Sequence, residues 1–159
     1  VPLAPRAAVA TQEITMSKSI VISLPVTDLA VSVAFHEAIG FTRDAQFGSE
    51  MTACMVWSET IRFKLLTTAK WRTMTTRPIP PKNSTGVMVA LSCDSRGAVD
   101  AMSNAAGAHG GAVDTNPVED HGFMYGRDFA DPDGHAIGAM WMDMSGMPAG
   151  GMRRAPVAS

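Results

Sequence analysis

The sequence predicts an α+β protein of two tandem βαβββ modules forming a curved mixed sheet around a cavity. Three observations carry that expectation. The order strand, helix, three strands occurs twice, and laying Asp28 over Asp94 aligns strand, acid, helix and terminal glycine in both halves. A polar, proline-rich stretch, AKWRTMTTRPIPPKNST, separates the two occurrences. The 159 residues are 46% hydrophobic and 18% charged, which supplies one ordinary core and argues against a disordered chain.

In chain order, residues 1–15 are small, proline-containing and aperiodic, and are set apart as a disordered arm or tag. A single domain is expected over 16–144, with one module at about 18–68 and the other at about 85–143. SIVISLPV is a β-branched run of strand length. In TDLAVSVAFHEAIGF, Leu29, Val33, Ala34 and Ile39 fall near helical spacing, with Thr27 or Asp28 as N-cap and Gly40 as the stop. FTRDAQF, MTACMVWS and TIRFKLLT follow as strands, then the proline-rich loop containing Trp71. GVMVALSCD is the next strand. SRGAVDAMSNAAGAHGG is a helix with Val99, Met102 and Ala106 on one side, its Gly107 answering to Gly40. AVDTNPVE, FMYGRDFAD and HAIGAMWMD close the second module, the last two joined by the turn DPDG. Residues 145–159 form a flexible tail whose Arg153–Arg154 pair is a solvated charge.

Thirteen Lys and Arg against fifteen Asp and Glu leave no basic face for nucleic acid. No run approaches the ~18 apolar residues of a membrane span. The N-terminal stretch lacks the apolar centre of a secretory signal, so a cytoplasmic location is expected. Cys54 and Cys93 have no CxxC spacing and sit in apolar runs as inert thiols. There is no GxSxG, no phosphate-cradling glycine loop and no Ser-His-Asp arrangement. His36 and His109 are packing residues, His135 supports the hairpin, and His121 is the best candidate for a cavity histidine.

Two segments resemble a known family. LPVTDLAVSVAFHEAIGF is similar to the first strand and helix of the vicinal oxygen chelate superfamily, which includes glyoxalase I, bleomycin-resistance proteins, fosfomycin-resistance enzymes and extradiol dioxygenases. HGFMYGRDFADPDGHAIGAMWMD resembles the closing hairpin of its bacterial members. The likeness runs from about Ser17 to Asp143 and implies the glyoxalase/bleomycin-resistance fold. Catalytic members hold a divalent metal with His, Gln or Glu from four strand positions. Those positions correspond here to Val21, Lys64, Val87 and Gly138, and one-residue slips to Ile20, Ile22, Ile137 or Ala139 supply no ligand. No metal and no cofactor is therefore expected.

Strand alternation extends these positions into a concave face: Arg62 and Leu66 beside Lys64, Ser23 beside Val21, and Ala136, Met140 and Met142 beside Gly138. Met55 and Trp57 share a strand face assigned to the same cavity, Tyr125 and Arg127 share another, Trp71 is a flap, and His121 completes the set. Such a pocket, rich in sulfur and aromatic rings with one or two cations, suits a flat or hydrophobic ligand bearing an anionic or carbonyl group. The expected function is metal-independent binding of a small hydrophobic or aromatic molecule in a homodimer, as in bleomycin-resistance proteins. Whether the chain is an enzyme stays open, with the balance toward binding. The alternatives are a metal-dependent lyase, dioxygenase or thiol transferase with displaced ligands, using His121 and Glu119, and a structural or regulatory module whose cavity Met and Trp fill.

Overall fold

In the computed structural model, residues 17–146 are described. The expected arm over 1–15 and most of the tail, with Met147, Met152 and Arg153–Arg154, lie outside them. The β-branched run becomes strand β1 (Ile20–Val26), and Asp28 caps helix α1 (Leu29–Ala38) by accepting the Val31 N–H at 3.1 Å. Gly40, at φ +114°, reverses the chain after the helix. Strands β2 (Thr42–Ser49), β3 (Thr52–Val56) and β4 (Ile61–Thr67) complete the first sheet, ordered β1-β4-β3-β2 with β1 parallel to β4.

The expected loop after β4 begins instead as helix α2 (Thr68–Met74). Thr67 starts it, its Oγ1 accepting the Lys70 N–H at 3.3 Å, so Trp71 stands on a helix and not on a loop. Strand β5 (Met88–Ser92) opens the second module, and helix α3 (Arg96–Ala108) is capped by Ser95, whose Oγ accepts the Ala98 N–H at 3.0 Å. The structural repeat thus equates Asp28 with Ser95, one residue past Asp94. Met88, not Val87, then becomes the counterpart of Val21, and Val87 precedes the strand. Helix α3 has 13 residues against 10 in α1, so Gly107 remains inside it and Gly110, at φ +88°, makes the stop.

AVDTNPVE does not run as one strand. It divides into β6 (Ala112–Val113) and β7 (Glu119–Asp120), with Pro117, which lacks a ladder donor, between them. Strands β8 (Met124–Ala130) and β9 (Ala136–Met142) form the closing hairpin. The second sheet has order β5-β9-β8-β6, with β7 also on β8 and β5 parallel to β9, as β1 is to β4. The strands therefore make two mixed sheets rather than one.

Each sheet turns one face into a shared core. Phe35, Phe41, Met55, Phe63 and Leu65 join Leu91, Val99, Phe129, Ile137 and Ala139 in one buried cluster, with Phe35 and Phe129 6.2 Å apart across the modules. Helices α1 and α3 touch within it. The DPDGH turn locks the modules together. Asp133 Oδ1 accepts Thr27 N–H and Oγ1–H at 2.9 and 2.6 Å, His135 Nε2–H donates to the Pro25 carbonyl at 2.8 Å, and Lys82 Nζ donates to Pro132 O at 2.8 Å. His135 thus bridges the modules as well as standing in the hairpin. Among the described residues no helix is long and apolar enough to cross a membrane.

Candidate functional site

The faces turned away from the core carry the residues at issue. On the first sheet, Val21 pairs with Arg62, and Ser23 with Lys64, whose other neighbour is Cys54. Arg62 meets Asp44 at 3.4 Å, a partly exposed pair of small energetic weight. Lys64 has no ion-pair partner among the described residues. On the second sheet, Gly138 lies between Ala90 and Asp128, Met140 between Ser92 and Gly126, and Met142 beside Met124. Lys64 and Arg62 therefore share one open face, and Gly138, Met140 and Met142 share the other, as alternation requires.

A groove of about 150 Å³ runs over the second face, walled by Ala90, Glu119, Met124, Asp128, Gly138 and Met140. Gly138 leaves room at its floor by having no side chain. The Asp128 carboxylate fills that space, Oδ1 lying 2.5 Å from where a Cβ on Gly138 would stand, while Oδ2 accepts from Asn116 Nδ2 at 2.8 Å. Asp128 and Met124 were not among the expected site residues, and Glu119 was expected only under the metal-dependent alternative. The period-2 pattern of β8 holds the signal, since it opposes Met124, Gly126 and Asp128 to Tyr125 and Arg127; the expectation took the wrong set.

Five expected positions lie elsewhere. Met55 is fully buried in the core beside its cross-strand partner Phe63, one residue out of phase with the open face. Trp57 lies beyond the end of β3, packed on that core with its ring 5.1 Å from Phe41. Tyr125 turns toward α3, where its hydroxyl donates to Asp100 Oδ1 at 2.8 Å and its ring lies 5.0 Å from the Arg96 guanidinium. Arg127 joins it there, bonded to Asp100 and Asp114; the Tyr125 hydroxyl and then Arg127 lower the Asp100 carboxyl below its ordinary range, and Arg127 lowers that of Asp114. His121 is exposed on the turn after β7 and takes no part in the groove lining, although Glu119 does. That turn is pinned by a bidentate bond from Arg96 to Asp120, both contacts 2.8 Å, which holds Asp120 far below the usual carboxylate range.

Trp71 faces a different concavity. A cleft of about 240 Å³ opens where the two modules meet, with Ile22, Phe63, Val89 and Ile137 among its walls. Trp71 lines this cleft, while its Nε1–H is buried away from solvent with no acceptor among the described residues.

Two mixed sheets of the same βαβββ kind, joined through a common core, define a paired-module protein. The sequence profile of the Glyoxalase/Bleomycin resistance protein/Dioxygenase superfamily matches residues 18–138, and the chain belongs to that family. Among solved structures, a hypothetical protein, SA1046, from S. aureus is 24% identical with a TM-score of 0.66, covering 80% of this chain and 95% of its own. A glyoxalase-related enzyme from Fulvimarina pelagi is 18% identical with a TM-score of 0.67, over 86% and 96%. TnmS3, an antibiotic binding protein from Streptomyces sp. CB03234, is 25% identical with a TM-score of 0.56, over 81% and 98%. No curated protein matches the chain.

The metal of the family's catalytic members does not fit the residues present. The corresponding positions are Val21, Lys64, Met88 and Gly138; these offer no oxygen or imidazole donor, and Lys64 adds a positive charge. Among the described residues no three His, Cys, Asp or Glu side chains gather into a cation site.

Proposed function

We propose that the chain is a metal-independent binding protein for a small hydrophobic or aromatic molecule, held in a groove between two copies. The observation that carries this reading is the groove lining that sets Met124 and Met140 around Gly138. Where a donor carboxylate would project from β9 stands Gly138, whose side-chain space is taken by an Asp128 carboxylate already bonded to Asn116, and adaptable thioethers wall the rest. The open face carrying Lys64 belongs to the other sheet, so a single copy does not enclose a ligand between the two. In the proposed homodimer, one copy's Lys64 face covers the other's methionine face. The apolar walls take a flat body, and the Lys64 ammonium takes a carbonyl or anionic group. The likeness to TnmS3, described as an antibiotic binding protein, supports binding without fixing the ligand.

One observation favours a second reading. Glu119 and Asp128 line the same groove and are the nearest approach to a displaced donor set, a role that His121, outside the groove lining, does not share. Purified protein analysed for Ni, Zn, Mn and Fe decides between them. The binding reading expects less than about a tenth of an equivalent of each, since a resident site would retain its ion. It also expects aromatic ligands, not divalent ions, to stabilise the fold by about 2.7 kcal/mol at a hundredfold excess over Kd, read as a raised melting temperature. Stoichiometric metal that is lost in Asp128→Asn establishes the second reading instead.

A further inference from the structure

We propose that the occupant of the groove carries a protonated amine, and that the Asp128 carboxylate at the groove floor selects it; this rests on the binding reading above and deepens it. Strand β8 turns Asp128 toward the open face, opposite Gly138 on β9. The absent side chain leaves space that Oδ1 enters, 2.5 Å from where a Cβ would stand. The two carboxylate oxygens then differ. Oδ2 accepts from Asn116 Nδ2 at 2.8 Å, whereas Oδ1 accepts no hydrogen bond among the described residues. Asp128 is half-buried and lines the groove, and Oδ1 remains within reach of solvent.

The surroundings decide what chemistry answers that oxygen. Ala90, Met124, Gly126 and Met140 wall it, and no Lys, Arg or His side chain lines the groove among the described residues. Arg127, next in sequence, lies on the opposite face and is held by Asp100 and Asp114. A neutral apolar molecule laid over Asp128 strips water from a charged group and returns nothing, a heavy penalty. A neutral O–H donor recovers part of the loss. An ammonium recovers most of it, because a hydrogen bond between two charged groups is roughly twice as strong as one between neutral groups. The thioethers of Met124 and Met140 favour an aromatic ring as the body that carries the amine. In the proposed dimer, a ligand lying between the two faces separates the Asp128 floor from the Lys64 cover. Its amine therefore points to one face, and its carbonyl or anionic group to the other.

The test uses the full chain and three probes of one shape: benzylamine, benzyl alcohol and benzoate. Binding is followed through the Met124 methyl resonance, assigned by its loss in Met124→Leu. Benzylamine is expected to bind about tenfold more tightly than benzyl alcohol, the lower end for a hydrogen bond to a charged group, and benzoate more weakly than either. Asp128→Asn keeps an oxygen for Asn116 and removes the charge. Benzylamine should then fall to the level of benzyl alcohol, while benzyl alcohol itself is retained. Asp128→Ala serves the same purpose if that variant does not fold. Glu119 is exposed at the edge of the groove, so Glu119→Gln should lower the preference less. Met140→Trp blocks the groove and should abolish all three probes, as should Gly126→Val, where a Cβ meets nothing closer than 3.5 Å. Equal binding of benzylamine and benzyl alcohol, or a preference that survives Asp128→Asn or is lost equally in Glu119→Gln, overturns the amine assignment and leaves the groove standing. Probes that do not bind, or that still bind with the groove blocked, overturn the groove reading itself and this inference with it.

Discussion

Gly138 and Asp128 show how one missing side chain reorganises a site. Glycine within a strand ordinarily weakens it, and alanine gains back ~0.5–1 kcal/mol. Here the sign reverses, because a Cβ would meet Asp128 Oδ1 at 2.5 Å and push the carboxylate off Asn116. Gly138→Ala is expected to destabilise the protein by about 1–2 kcal/mol in urea unfolding, the range for overpacking. In an Asp128→Ala background the same change should be neutral or stabilising, a coupling that a double-mutant cycle measures. His36 supplies a second residue-scale prediction. Burial among Phe35, Phe41 and Phe63 holds its imidazole down at about 4, while Nδ1–H donates to Ser32 O at 2.8 Å. The unfolded chain takes up this proton near pH 6.5 and the folded one does not until about 4, so stability falls as pH drops through that window. The loss attributable to His36 is about 3 kcal/mol in full. Asp131, whose carboxyl burial raises, acts in the opposite direction, favouring the fold at low pH. Comparing His36→Phe with the parent at pH 7 and pH 4.5 isolates the histidine: the variant should lose markedly less stability on acidification. Residue identities at the groove were legible in the sequence for Gly138 and Met140, which alternation ties to one face. Met55 was not, because the facing of β3 depends on its register with β4, and that is set by the turn between them.

At the scale of elements, the turn joining β8 to β9 is the most informative, since it is both a hairpin and the clasp between modules. Gly134, at φ +87°, places its backbone so close to Lys82 that a side chain there would run into the Lys82 main chain. Gly134→Ala therefore combines left-handed strain with a backbone clash and is expected to cost more than about 2 kcal/mol. Asp133→Ala removes only the acceptor for Thr27 and should cost about 1 kcal/mol, read as a modest fall in melting temperature. An equal effect of the two substitutions would show that the clasp does not rest on this close approach. The DPDG motif announced the turn, but only the tertiary structure shows that its far side grips Pro25, Thr27 and Lys82. Helix α2 escaped the sequence reading because prolines downstream dominate the composition of the stretch, while the local signals, a Thr67 cap and seven residues tolerant of helix, are short. Gly107 misled for a related reason. Two helices of unequal length cannot both end at the glycine that repeat alignment selects, and the longer one carries its glycine inside.

For the whole molecule, the decisive property is that each sheet has spent one face on the common core. The other faces differ in charge: Lys64 stands on the first, Asp128 and Glu119 on the second. Val21 and Met88, at 57% and 58% exposed, occupy matching places on them and leave apolar surface in water. In the homodimer proposed above, a second copy related by two-fold symmetry would bury both faces twice over, each basic face meeting an acidic one. The expected outcome is a dimer by light scattering, with an interface in the ~1,200–2,000 Å² range of stable complexes. Lys64→Glu sets like charges against Asp128 and Glu119 and should shift the protein toward monomer, by about tenfold in dissociation constant for each 1.4 kcal/mol of repulsion. Asp128→Lys should do the same by opposing Lys64. Combining the two exchanges restores complementarity, so the double variant should regain much of the dimer that each single variant loses. Raised salt should weaken the parent dimer and strengthen the single variants, because screening removes attraction in one and repulsion in the others. A parent that stays monomeric at every concentration would leave both faces open, and a groove sealed by a second copy would then have no means of forming.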